Sequence, residues 1–312
     1  MKSGCYRPLL RRKNFVHTPQ VLAAASDYAR RCLFGVDVDP ELQRAAKMNM
    51  LINNDGHGNI FTANTLALSP ADIAGRAFAG AEQLAFENFD VVLTNPPFGA
   101  KIPIDDAEML GRFDLAHRFQ KFTDSDGTRG WAKLEASLRP KMPPEILFIE
   151  RCLQFLRPGG KLGIVVPDGI LGNPDNEPIR HWILQNARLL ASIDLPVEAF
   201  LPQVGVQSSL LFPQKKTAPE RAARGIGNYE IFMAVAEVVG HGRRGEAIFR
   251  RDADGYDLFE NFTEEFRSLN PETGQEAVEP RVRQRRLLAD DLPLAVGAFH
   301  NWQSGKGASW PE

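Results

Sequence analysis

The chain has 312 residues, is 43% hydrophobic and carries a formal net charge of −2, enough apolar material for one large or two small cores. It contains no apolar run of about 18 residues, and Met1 to Lys13 lack the apolar centre of a signal peptide, so a cytoplasmic protein is expected. The near-neutral charge argues against wholesale wrapping of nucleic acid and leaves room for local basic patches or a partner that supplies them.

In chain order, Arg31 to Pro40 (RCLFGVDVDP) reads as a strand ending in acids, and Glu41 to Ile52 as a helix closed by Asn53-Asn54-Asp55-Gly56. Asn59 to Leu66 is a shorter strand, and Phe89 to Thr94 (FDVVLT) is an apolar run typical of a buried parallel strand. Residues 99–142 break the rhythm and read as an insertion or lid loop, either contacting a base or DNA or simply solvated. A helix opens at Pro143-Pro144-Glu145-Ile146 and stops at Pro158-Gly159-Gly160. Strands follow at 161–167, 189–195 and 207–212, with a helix over 180–186. Residues 213–229 read as a polar connector and 251–312 as a helical appendage to a catalytic domain over 1–250. Strands separated by helical patterns predict an α/β fold with a doubly wound, mostly parallel sheet.

Cys5, Cys32 and Cys152 show no CxxC spacing, and Cys32 and Cys152 are expected as small buried hydrophobes. His57, His117, His181 and His241 show no metal spacing and are expected at the surface or in turns, so no metal is expected.

Asn95-Pro96-Pro97-Phe98 follows the 89–94 strand at its carboxyl end, where open α/β sheets hold their ligands. The prolines fix φ and carry no N–H. The Asn95 amide oxygen and the Pro96 carbonyl can thus both accept from one exocyclic amino group, and Phe98 can stack on the ring that bears it. The same residues also suit an ordinary turn after a strand. At the end of the earlier strand, Asp37 can accept both hydroxyls of a ribose, Val38 can cover an adenine face, and Asp39 can cap the next helix. Asn64 ends the following strand and reads either as an adenine-edge acceptor or as a turn residue. Asp168 reads as a pocket wall or a helix cap. Arg243 and Arg244, in a glycine-flanked loop, read as phosphate contacts or as an exposed hairpin turn.

Together these segments resemble the methylation subunit of type I restriction-modification systems, a family of S-adenosylmethionine-dependent N6-adenine DNA methyltransferases. The resemblance rests on Leu33 to Pro40, Lys47 to Met50, Gly56 to Ile60, Thr94 to Gly99, Pro158 to Leu162, Pro167 to Gly169, Phe200 to Pro202 with Gly205, Val206, Ser208 and Ser209, and Val239 to Gly245. It implies the class I methyltransferase fold with S-adenosylmethionine as cofactor. It also implies double-stranded DNA as substrate, a specificity subunit and a restriction subunit as partners, a catalytic role for Asn95, Pro96, Pro97 and Phe98, and a cofactor role for Asp37, Val38 and Asn64.

One departure stands out. Members of that family carry a glycine-rich turn after their first strand, and residues 1–30 contain only Gly4. A chain lacking its first strand is expected, with an exposed apolar sheet edge and half the cofactor pocket, either a truncated product inactive alone or the larger half of a split enzyme. Two other readings stay open: methylation of a protein glutamine, which uses similar amide recognition, and a non-catalytic remnant that binds DNA or a partner subunit.

Overall fold

The computed structural model describes residues 19–52, 58–69, 72, 84–98, 103–125, 127, 129–222, 226–269 and 276–305. Cys5, His57, Gly99 and the expected helix stop at Asn53 to Gly56 lie outside them. Among the described residues, no helix is long and apolar enough to cross a membrane. The chain divides into two compact units, Met1–Asn88 and Phe89–Glu312, a boundary different from the expected division after residue 250.

In the first unit, helix α1 (Pro19–Cys32) precedes strand β1 (Gly35–Asp37), helix α2 (Pro40–Ile52) and strand β2 (Ile60–Thr62). β1 and β2 pair in parallel, with Val36 opposite Phe61. The expected strand over 31–40 is much shorter, because Arg31 and Cys32 complete α1 and Asp39-Pro40 starts α2. Pro40 takes the first helical position, where a missing N–H costs nothing, and the Asp39 carboxylate accepts from the Glu41 N–H at 2.8 Å. Cys32 is exposed, correcting its expected burial.

The second unit is built on a five-stranded sheet in the order β3–β6–β8–β7–β9, comprising β3 (Phe89–Thr94), β6 (Leu156–Pro167), β8 (Ser208–Lys215), β7 (Ala187–Leu195) and β9 (Phe232–Val235). β3 is parallel to β6 and β7 to β9, while β8 runs antiparallel to both of its neighbours. The sheet is therefore mixed but mostly parallel, as expected. The β1–β2 pair forms a separate two-stranded sheet. Leu162, Ile164 and Val166 of β6 are buried together with Leu147 and Ile149 of helix α3 (Pro144–Phe155), and Phe155 packs edge to face on Phe89. Cys152, on the same helix, is buried, and desolvation pushes its thiol up to about 12.

The outer strand β3 has one described partner strand, β6, and its apolar side chains Val91 and Leu93 are 54% and 76% exposed.

Residues 99–142 are not a structureless lid in their described part. They contain a helical turn at Ala107–Leu110, a 3-10 turn at Asp114–Ala116 and an antiparallel hairpin of β4 (His117–Thr123) and β5 (Arg129–Leu138). The hairpin is anchored by Glu150, a buried carboxylate on α3 that accepts from the backbone N–H groups of Asp114 and Leu115, both at 2.9 Å. His117, expected at the surface, is buried, with Nδ1 2.9 Å from the Phe113 carbonyl.

The expected helical appendage is mainly strand. Residues Phe259–Leu269 (β10) and Glu276–Arg286 (β11) pair antiparallel over their whole length, favoured by Phe262, Thr263 and Val282 at strand positions. Helix α4 (Leu292–Gly305) is integral to the second unit. Its Ala295 joins a core cluster with Ile193 and Leu195, and Phe299 meets Phe232 edge to face at 5.4 Å.

Candidate functional site

The carboxyl ends of β3 and β6 lie side by side, since Thr94 pairs with Ile164 three residues before Pro167. Asn95-Pro96-Pro97-Phe98 leaves the first of these ends, with Asn95 exposed, Pro96 buried and Phe98 half-buried. Burial of Pro96 fixes the segment, while its two ends stay accessible. Asp168 leaves the second end at the start of the short helix Asp168–Gly172. Its backbone N–H donates to the Gln207 carbonyl at 3.1 Å, and its carboxylate accepts from the Ser209 hydroxyl at 2.9 Å. Asp168 is thereby fixed across to β8.

The parallel strand β7 ends at Leu195 and passes through Pro196 into a 3-10 turn, Val197–Phe200. This turn places Phe200 against Phe98, with ring centroids 5.8 Å apart and planes at 88°. The sequence reading gave neither Phe200 nor Ser209 a role. The available signal was an aromatic residue five positions beyond the carboxyl end of another parallel strand. Glu198 in the same turn pairs with Arg243 at 3.0 Å, which holds its carboxyl below the usual range.

The expected cofactor residues lie in the first unit. β1 and β2 run in parallel register, and Ala63 donates its N–H to the Asp37 carbonyl at 2.9 Å, so Asp37 and Asn64 occupy adjacent strand ends. Asp37 is half-buried and its Oδ1 accepts from the Asp39 N–H at 2.8 Å. Val38 is exposed. The Asn64 Oδ1 accepts from the Leu66 N–H at 3.1 Å, which makes it a turn residue, while its amide N–H groups and second lone pair have no partner among the described residues. A carboxylate, an apolar side chain and an amide at neighbouring strand ends fit the ribose and base of an adenosine.

This chain is similar to the EcoKI methylase subunit of the type I restriction enzyme of Escherichia coli K12, at 25% identity over 194 residues, covering 60% of this chain and 29% of that protein. It is also similar to the type II methyltransferase M.XhoI of Xanthomonas vasicola, at 29% identity over 158 residues, covering 48% of this chain and 26% of that one. The chain thus spans under a third of the length of these relatives. Among solved structures, the methyltransferase subunit of a type I restriction-modification system from Streptococcus thermophilus aligns with a TM-score of 0.43 at 22% identity, covering 59% of this chain and 34% of that one. The family described as N-6 DNA Methylase matches residues 12–233, and the chain belongs to that family.

Proposed function

We propose that this chain is the catalytic part of a site-specific DNA methyltransferase that transfers a methyl group from S-adenosylmethionine to the N6 amine of adenine, as the modification subunit of a restriction-modification system. The observation that carries the reading is the placement of Asn95-Pro96-Pro97-Phe98 at the carboxyl end of β3 with Phe200 against Phe98, in a chain of the N-6 DNA Methylase family. Its partners in this reading are double-stranded DNA, a specificity subunit that reads the sequence, and a restriction subunit.

The residues need to do little acid-base work. A target adenine is extruded from the duplex and stacks on Phe98, and Phe200, edge-on to Phe98, fixes the tilt of that ring. The Asn95 amide oxygen and the Pro96 carbonyl accept the two amine hydrogens and so orient the nitrogen lone pair. Asp37, Val38 and Asn64 would hold the adenosine part of S-adenosylmethionine, which supplies an electrophilic methyl group on its sulfonium when bound. Most of the rate comes from positioning. Because no glycine-rich turn precedes Asp37 in these 312 residues, the chain by itself binds the cofactor weakly, at about 100 μM or worse, roughly 5.5 kcal/mol.

The test supplies a glycine-rich cofactor segment in cis or in trans, together with a specificity subunit, and analyses digested DNA by mass spectrometry. N6-methyladenine is expected, and Asn95→Ala lowers its formation by at least about 100-fold. N4-methylcytosine, methylated protein with unmodified DNA, or near-normal activity in Asn95→Ala would overturn the reading.

A further inference from the structure

The chain beyond β9 makes a tight turn on which the proposed chemistry does not draw. Gly242-Arg243-Arg244-Gly245 is closed by the Gly245 N–H donating to the Gly242 carbonyl at 3.0 Å, with Gly245 at φ 81°. Arg243 and Arg244 are therefore the two central residues at its tip. The turn is stiffened from both sides. The Gly242 N–H donates to the Glu246 carbonyl, the Glu246 carboxylate accepts from the Arg244 N–H, both at 2.9 Å, and His241 bridges to Ala247.

Two adjacent guanidinium groups at one rigid tip repel each other unless something negative meets them. Glu246 is already engaged by the Arg244 backbone, and Glu198 by Arg243. The Arg243 side chain nevertheless stays 77% exposed, and the Arg244 side chain has no acidic partner among the described residues. The Glu198 contact also fixes where the tip lies. Glu198 is two residues from Phe200, which meets Phe98, so the Arg243 guanidinium is tied to the same 3-10 turn, beyond the carboxyl end of β7, that presents Phe200 to Phe98.

We propose that Arg243 and Arg244 grip the phosphodiester backbone of the DNA strand that delivers its base to Phe98 and Phe200, with the Glu198 ion pair aiming Arg243. The inference rests on the reading of Asn95 to Phe98 as a base pocket. Planar guanidinium forks match phosphate oxygens in pairs, and phosphates are where a protein takes hold of a strand without reading its sequence. Extruding one nucleotide also requires its flanking phosphates to be held.

The test uses the full chain and a fluorescent 20-base-pair duplex carrying one adenine opposite an abasic site, titrated by anisotropy from about 20 to 200 mM salt. Arg243→Gln/Arg244→Gln should lower the slope of log affinity against log salt by about 1 to 2, since each phosphate that an arginine neutralises adds about 0.9 to that slope, and should weaken all duplexes equally. Arg243→Lys/Arg244→Lys should keep most of the slope. Glu198→Gln, which removes only the aiming partner, should leave the slope intact. If Glu198→Gln and Arg243→Gln weaken binding equally while both keep the wild-type slope, Arg243 merely holds the turn and the inference fails. If the arginine variants leave the slope unchanged while Phe98→Ala abolishes the preference for the adenine-abasic duplex, the inference fails and the base-pocket reading stands. Absence of any effect from either set, or of any binding at 20 mM salt, sinks both.

Discussion

Phe98 and Phe200 reach the same place from different strands and meet edge to face, 5.8 Å between centroids at an interplanar angle of 88°. An edge-to-face pair of this kind contributes about 0.5–1.5 kcal/mol beyond the area it buries. A base laid on the free face of Phe98 therefore meets a ring whose tilt is already fixed. Phe98→Ala is expected to weaken binding of an extruded adenine by about 1–3 kcal/mol, the usual contribution of a base-aromatic stack, while Phe98→Trp keeps activity. Phe200→Ala should lose less, about 0.5–1.5 kcal/mol, because it removes the buttress and leaves the stack. Competition binding with the adenine-abasic duplex separates the two. A larger loss at Phe200 than at Phe98 would show that Phe200 rather than Phe98 carries the base.

Glu150 gives the second unit a pH dependence of known sign. Burial raises its carboxyl from 4.5 to about 7 against the lowering effect of the Leu115 and Asp114 N–H groups. Between pH 4.5 and 7 the folded protein retains a proton that the unfolded chain has released, so this group's contribution to stability falls as pH rises through that window. The loss should amount to about 3 kcal/mol. Glu150→Gln removes the titration but leaves one N–H of the 114–115 turn without its acceptor, at a cost of about 1–3 kcal/mol. Urea midpoints at pH 5 and pH 7.5 should therefore differ in the wild type by more than in the variant. The same pH difference in both proteins would mean that Glu150 does not titrate in this range.

Gly160 is fixed by backbone and not by conformation. A Cβ there would lie 2.9 Å from both the Arg157 and the Phe89 carbonyl oxygens, atoms of the β3–β6 junction that cannot move aside cheaply. Gly160→Ala should cost about 1–3 kcal/mol as overpacking. Gly169→Ala, where a Cβ meets nothing within 4 Å, should stay within about 0.5 kcal/mol. Thermal unfolding of the two variants provides the comparison, and a harmless Gly160→Ala would mean that the junction can open.

The sequence pattern was legible where one local rule dominates. Pro143-Pro144 started a helix, Phe89 to Thr94 formed a strand, and Asp39 capped α2, because proline geometry, an apolar run and an N-cap each act within a few residues. The insertion and the C-terminal region were misread for opposite reasons. The β4–β5 hairpin alternates charged and aromatic residues too unevenly to show a period, and its anchor Glu150 lies far along the chain. In β10 and β11 the high charge suggested a solvated helix, while the cross-strand pairs that use it, such as Arg285 with Glu260 at 2.7 Å, are visible only once the strands are paired. At the site, the tetrapeptide was recognisable because its chemistry is contiguous. Phe200 lies in a segment that carries the family resemblance, but its contact with Phe98 follows from the sheet order and not from spacing along the chain.

Val91 and Leu93 lie on an outer strand whose described pairing is with β6 alone, and Leu93 covers the spot where Gly163 lacks a side chain, a Cβ there falling 2.7 Å from the Leu93 Cδ2. An apolar outer strand with a single partner strand among the described residues is a template for a further strand, and natural proteins protect such edges with charge or cover. The charge that Phe89 to Thr94 itself carries is Asp90, which pairs with Arg157 at 2.6 Å. The isolated chain should therefore self-associate as its concentration rises. Leu93→Lys or Val91→Lys should restore a monomer, since a lysine on an exposed strand opposes pairing, with Leu93→Lys also giving up the contact over Gly163. Sedimentation velocity between about 5 and 100 μM distinguishes the outcomes. A wild-type chain that stays monomeric over that range would show the edge to be already protected, and an equally associated Leu93→Lys would place the contact elsewhere.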